Sequence, residues 1–322
     1  MRTIRIAVRA WDWLTPLRLG QVRFDLPNAE LVVDCLDALE DPWMQADSGR
    51  LTHDAYEVSL SRYHRAVVAG NAVITAVPHV MMQAFRQRCI IVSRNSELHT
   101  TADLRGRRIG VTGWIDSGNT WTREILSREG IEIEDAYWVA GRLTAAHPDY
   151  ERTDGFAREG RIEQAPKGAV MSDMLISGEL DAVFTPFMPP GFYSPDSPWR
   201  FLYDDVRAEE IAYVKSTGYV PGHHLLGFAG ESFDPEVALA VSKALTESKR
   251  IWATARQKLA DTSMWLTCDL LAEALNLPPG WDTPSFEIQA PMIERFNQIH
   301  HEQGIVDRAA SADEMFPTEV LR

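Results

Sequence analysis

A chain of 322 residues, 45% hydrophobic and 24% charged, is too apolar to be disordered and long enough for two ordinary domain cores. Its 32 Lys and Arg against 46 Asp and Glu leave a formal charge of −14, which repels nucleic acid and anionic lipid and argues against both as partners. A small anionic ligand stays admissible where local arginines overcome that field.

The first segment, MRTIRIAVRAWDWL, has Arg2, Arg5, Arg9 and Asp12 breaking its apolar run. It reads as a strand over Thr3–Arg9 rather than a secretion signal, so the expected location is the cytoplasm. No run of about 18 apolar residues follows anywhere, so no membrane partner is expected. Cys35, Cys89 and Cys268 are odd in number and far apart. They fit small residues in a reducing compartment better than a disulfide framework or a thiolate metal site.

Leu31–Asp41 reads as a strand running into a turn, and Thr52–Ala69 as a helix closed by Gly70. Ala72–Val77 and Cys89–Val92 are apolar, β-branched strand candidates. Arg108–Thr112 is a short strand, followed by the loop Gly113–Gly118 and a helix from about Asn119 to Glu129 that Gly130 ends. On that helix Trp121, Ile125 and Leu126 share a face. Helix Lys167–Ser177 and strand Asp181–Thr185 repeat the pattern, and the proline-rich stretch Pro186–Pro198 is an irregular loop. Asp234-Pro235-Glu236 is a helix start with a cap and a first-turn proline, carrying the helix to about Leu259. Helices at Thr262–Leu275 and Phe286–Gln303 come next, with Gly304 as the stop. Strands alternating with helices make this an α/β protein.

No Walker A loop, GxGxxG, GxSxG or HExxH occurs, so nucleotide cradles and nucleophilic triads have no signature here. The neighbours in His223-His224 and His300-His301 point apart on either a helix or a strand, so neither pair chelates a metal alone. Three features remain. The loop before the helix at Asn119 leads Ser117, Asn119 and Thr120 to a helix N-terminus, where free N–H groups bind carboxylate or phosphate, or where one of these residues simply caps the helix. Arg62 and Arg86 either pair with an acid or grip a carboxylate. His224, where the chain enters an apolar run, suits acid–base work near neutral pH or a structural role.

The order of these segments is similar to the 4,5-dihydroxyphthalate decarboxylase family, built on a type II periplasmic-binding-protein-like fold. AVRAWDWLTPLRLGQV, YEVSLSRY, AFRQRCIIV, TWTREILSREGI, MSDMLISGELDA, TGYVPGHHLLGF and HHEQGIVDRAASADEMF carry the resemblance, in family order over nearly the whole chain. The chain departs at three places. Arg86 is followed by Gln87 rather than His, Asp12 is followed by Trp13 rather than Arg, and no Asn-Arg pair precedes the last long helix.

The resemblance implies two α/β lobes with ligand in the cleft between them, lobe one being 1–105 plus 216–322 and lobe two 106–215. It implies non-oxidative decarboxylation of a small hydroxylated aromatic acid, in aromatic compound catabolism, with no cofactor and with any metal requirement open. His224 is then the acid/base. Asp12 orients it or a ring hydroxyl, and Ser59, Arg62, Arg86, Ser117, Asn119 and Thr120 bind substrate. Rival readings are a non-catalytic carboxylate-binding protein and another lyase or hydrolase chemistry on the same scaffold. Whether copies of the chain associate is left open.

Overall fold

A computed structural model describes residues 1–230 and 233–322. The chain divides into two compact units, one made of 1–83, 217–298 and 306–322, the other of 84–216 and 299–305. Each is an α/β unit around its own mixed sheet, the class expected from the alternating pattern.

The first unit holds strands β1 (Arg2–Arg9), β2 (Ala29–Leu36), β3 (Ala55–Ser59), β4 (Ile74–Gln83) and β11 (Gly222–Ala229), in sheet order β2-β1-β3-β11-β4. β1 runs parallel to β2 and β3, and β11 is antiparallel to both neighbours, with His224 opposite Ser59. Helices α1 (Thr15–Arg18), α2 (Pro42–Asp47) and α3 (Leu60–Val68) lie early in this unit. The second unit holds β5 (Ile90–Ser93), β6 (Arg108–Val111), β7 (Tyr137–Ala140), β8 (Ile162–Gln164), β9 (Ala182–Phe184) and β10 (Trp199–Phe201), in the order β10-β5-β9-β6-β7-β8. Its helices include α4 (Ser117–Arg128) and α5 (Met171–Ser177), and α6 (Val206–Thr217) ends at the unit boundary. After β11 come α7 (Pro235–Leu259), α8 (Leu266–Asn276), α9 (Phe286–Glu302) and α10 (Ala312–Met315).

Two expectations change. Thr52–Ala69 is not one helix, because Ala55–Ser59 is a nearly fully buried strand between β1 and β11, and the helix begins at Leu60 with Ser59 as its cap. Sheet pairing with distant segments overrides the local helical pattern. Residues 84–105 belong with the second unit rather than the first, since β5 hydrogen-bonds to β9 and β10. Among the described residues no helix is long and apolar enough to cross a membrane.

The apolar stripe of α7 behaves as its spacing implies. Val237, Val241 and Leu245 are buried against Ile4, Ile6, Val8 and Leu226 of the first sheet. Also buried there is His79 of β4, whose Nδ1 lies 2.8 Å from Ser242 Oγ on α7. Burial, with Lys249 adding repulsion, pushes this imidazole down to about 3. An unfolded chain takes up that proton near 6.5, so between these values the unfolded state binds more protons and stability falls as pH falls. The slope from this one group is roughly 1 kcal/mol per pH unit. Denaturant unfolding of the chain and of His79→Gln, near neutral pH and near pH 5, should show the variant losing less on acidification.

Candidate active site

In the first unit, chemistry collects at the carboxyl ends of the parallel strands β1 and β3, the end where open α/β sheets take ligands. Because β11 runs antiparallel to β3, with His224 opposite Ser59 and Leu226 opposite Glu57, His224 and Glu57 are diagonal neighbours on one face. His224 Nδ1 lies 2.5 Å from Glu57 Oε1. Glu57 is itself buried, and its Oε2 accepts hydrogen bonds of 2.9 Å from the backbone N–H of Arg9 and from Trp11 Nε1. A carboxylate so fixed holds the proton on Nδ1 and leaves Nε2 for proton exchange. Nε2 has no partner among the described residues. The Trp11 ring stands 6.4 Å from the imidazole, and the Arg9 guanidinium lies over that indole at 5.1 Å. His223, on the opposite face by strand alternation, is buried.

Asp12 does not orient the histidine. It is exposed, and its carboxylate accepts from Trp13 N in its own turn at 3.0 Å. Of the two readings for Arg62, the structure shows the acid pair: its half-exposed guanidinium meets Asp41. Asp41 is fixed in turn as the cap of α2, accepting from Trp43 N and Met44 N. Ser59 caps α3 by accepting from Arg62 N.

In the second unit, the loop after β6 leads into α4, again at the carboxyl end of parallel strands β6, β7 and β9. Asp116 is the N-cap but makes no side-chain cap hydrogen bond. Ser117, Asn119 and Thr120 lie inside the helix and are buried. Asn119 Nδ2 ties back to the Gly113 carbonyl at 2.7 Å, so it braces the loop rather than capping the helix. Arg86 reaches the same helix end. It is 2% exposed, its Nε donates to Thr122 Oγ1 at 3.3 Å, and a Cβ on Gly118 would stand 2.7 Å from its Cζ.

Two residues away Arg88 closes on the buried Glu210 at 2.6 and 2.5 Å, whereas Arg86 has no acid among the described residues. Its Nη2 is buried without a partner, as are Asn119 Oδ1 and Thr120 Oγ1. A buried polar atom left unmet costs about 1–3 kcal/mol. A guanidinium set against the positive end of a helix is also electrostatically unfavourable, and an anion relieves both.

Two groups at these ends went unnoticed in the sequence, Glu57 and Arg123. Arg123 donates to the Trp114 carbonyl and to Gln303 Oε1, both at 2.8 Å, and lies 4.3 Å from the Trp114 ring. Burial pushes it down to about 9 against the opposing pull of Asp116, and its Nη1 is buried without a partner. Among the described residues no cluster of three His, Cys, Asp or Glu is arranged to hold a metal.

No family model matches the chain. It is 30% identical over 334 residues to the 4,5-dihydroxyphthalate decarboxylase of Comamonas testosteroni, covering 97% of this chain and 96% of that one. The 4,5-dihydroxyphthalate decarboxylase of Pseudomonas putida is also 30% identical, over 67% of this chain and 83% of its own. Among solved structures, the periplasmic aliphatic sulphonate binding protein SsuA from Escherichia coli superposes with a TM-score of 0.57 at 16% identity. That match covers 99% of this chain and 100% of that one, a likeness of fold. The chain belongs to the 4,5-dihydroxyphthalate decarboxylase family, and with it to the carboxy-lyases.

Proposed function

We propose that the chain is a cytoplasmic, cofactor-independent decarboxylase of a small hydroxylated aromatic carboxylic acid, serving aromatic compound catabolism. The observation that carries this reading is Arg86, a buried guanidinium with an unmet donor beside the first turns of α4, in a chain of this family. In this reading Arg86 and the first turn of α4, with the Thr120 hydroxyl, bind a substrate carboxylate. His224, held by Glu57, moves the proton.

The chemistry needs an electron sink, and a ring hydroxyl para or ortho to the departing carboxylate supplies one. Imidazolium Nε2–H protonates the ring carbon that bears the carboxylate while the hydroxyl gives up its proton and becomes a ketone. The carbon–carboxylate bond then breaks, CO₂ leaves, and the bonding pair returns to the ring as the oxygen is reprotonated. The net change is one carboxylate and one proton converted to an aromatic C–H and CO₂. Proton delivery to carbon is the demanding step, which is why a charge-paired histidine matters.

The test is CO₂ release from 4,5-dihydroxyphthalate and a panel of hydroxybenzoates, with and without chelator. Stoichiometric CO₂ and the decarboxylated phenol are expected in both arms. Binding of these acids without CO₂ from any of them would leave a non-catalytic carboxylate binder.

A further inference from the structure

Helix α8 reads LTCDLLAEALN, yet none of its residues is buried. Leu259, Met264, Trp265, Leu271 and Leu275 are each more than half exposed, from 54% to 89%. Single exposed apolar residues are unremarkable, but five between 259 and 275 concentrate exposed apolar side chains on one short stretch of chain, the kind of feature that marks an interaction surface.

Three properties say what fits it. On α8, Cys268, Leu271 and Leu275 follow one another at intervals of three and four and so share a face, the spacing of a seam between two helices. Beside this stripe, α7 and α8 border an open groove with a cavity volume of about 620 Å³, whose lining includes Ala253, Ala260, Ala274 and Leu271 together with Arg256 and Glu273. Met264, Trp265 and Leu275 stand outside that groove, so projecting side chains and a recess lie side by side on one surface. Such a surface can match a copy of itself through a twofold axis. The charge agrees. From 250 to 280, Arg250, Arg256 and Lys258 balance Asp261, Asp269 and Glu273, in a chain whose formal charge is −14. Two copies of an acidic chain repel each other in general, and a charge-balanced stretch lowers that cost locally. Trp265, 78% exposed, also holds a left-handed backbone at φ 68°, a strain for a bulky residue that an interface can offset.

We propose that the α7–α8 helix pair is the interface of a homodimer, with the α8 stripe of each copy packed against the helix pair of the other. The test is sedimentation velocity and light scattering on the full chain, monomer mass 36.3 kDa, at low micromolar concentration. Leu271→Glu combined with Leu275→Glu is the variant. Both side chains are exposed, and circular dichroism checks that the fold is retained. A dimer, or an assembly with an even number of copies, should become smaller in the variant.

The exposed Cys268 supplies a second reading that needs no folding-sensitive change. A short bis-maleimide should link two copies of the unmodified chain, and Cys268→Ser should abolish the link. A monomeric chain overturns the proposal. So does an assembly whose mass the Glu variants leave unchanged, or one that Cys268 cannot link, and a monomer that instead binds vesicles or another protein through this patch does the same.

Discussion

His224→Ala should lower kcat by about 10²–10⁴-fold with the fold intact, the loss expected when a positioned proton donor is removed. Glu57→Gln is the sharper variant. It keeps the shape of the buried side chain and removes the carboxylate that accepts from Nδ1–H, so kcat should fall while KM changes little. A residue that only supported the sheet would lower the amount of folded enzyme rather than kcat per folded molecule. His223 is the control, because it sits on the opposite face and is buried. His223→Ala should show itself in thermal unfolding rather than in turnover per folded molecule. Near-normal turnover in His224→Ala would assign the proton donor to another group.

The second large effect is expected at Arg86. Arg86→Ala should reduce kcat/KM by roughly ten- to a hundredfold, mainly through KM, because a charged hydrogen bond to a desolvated carboxylate is worth about 1.5–3 kcal/mol. Gly118→Ala tests the same contact from the other side. The new Cβ would lie 2.7 Å from the guanidinium, displacing Arg86, while alanine favours the helix over glycine. KM should rise without loss of stability. Arg88→Ala should do the reverse, leaving KM alone and destabilising the fold by stranding the buried Glu210. An unchanged KM in Arg86→Ala would mean that the carboxylate binds elsewhere.

Much of this was legible from local signals. The Asp234-Pro235 start of α7 and the left-handed Gly178 that ends α5 are written in adjacent residues. The same holds for the loop that delivers Ser117, Asn119 and Thr120 to a helix end. What was hidden depended on partners far away in sequence. Reading Ala55–Ser59 as helix concealed Glu57, because only strand alternation sets Glu57 and Ser59 on one face, and only β11 sets His224 beside them. That register comes from pairing with residues 167 positions downstream. The two arginines teach the same lesson. Arg62 and Arg86 look alike as residues, and their surroundings differ because Asp41 lies within reach of one and no acid among the described residues lies on the other.

The order of chain segments has a consequence for synthesis. The second sheet is contained in one continuous stretch, so its strands can pair as soon as residue 201 has left the ribosome. The first sheet cannot close until its fourth strand in spatial order, β11, arrives after residue 222, although four of its five strands are made before residue 84. Until then β3 and β4 face each other across an empty lane, with unpaired N–H and C=O groups and apolar flanks, the exposed-edge state that invites aggregation. The unit that begins the chain is thus the last to mature, and nascent chains truncated between residues 84 and 222 should be the ones most dependent on chaperones.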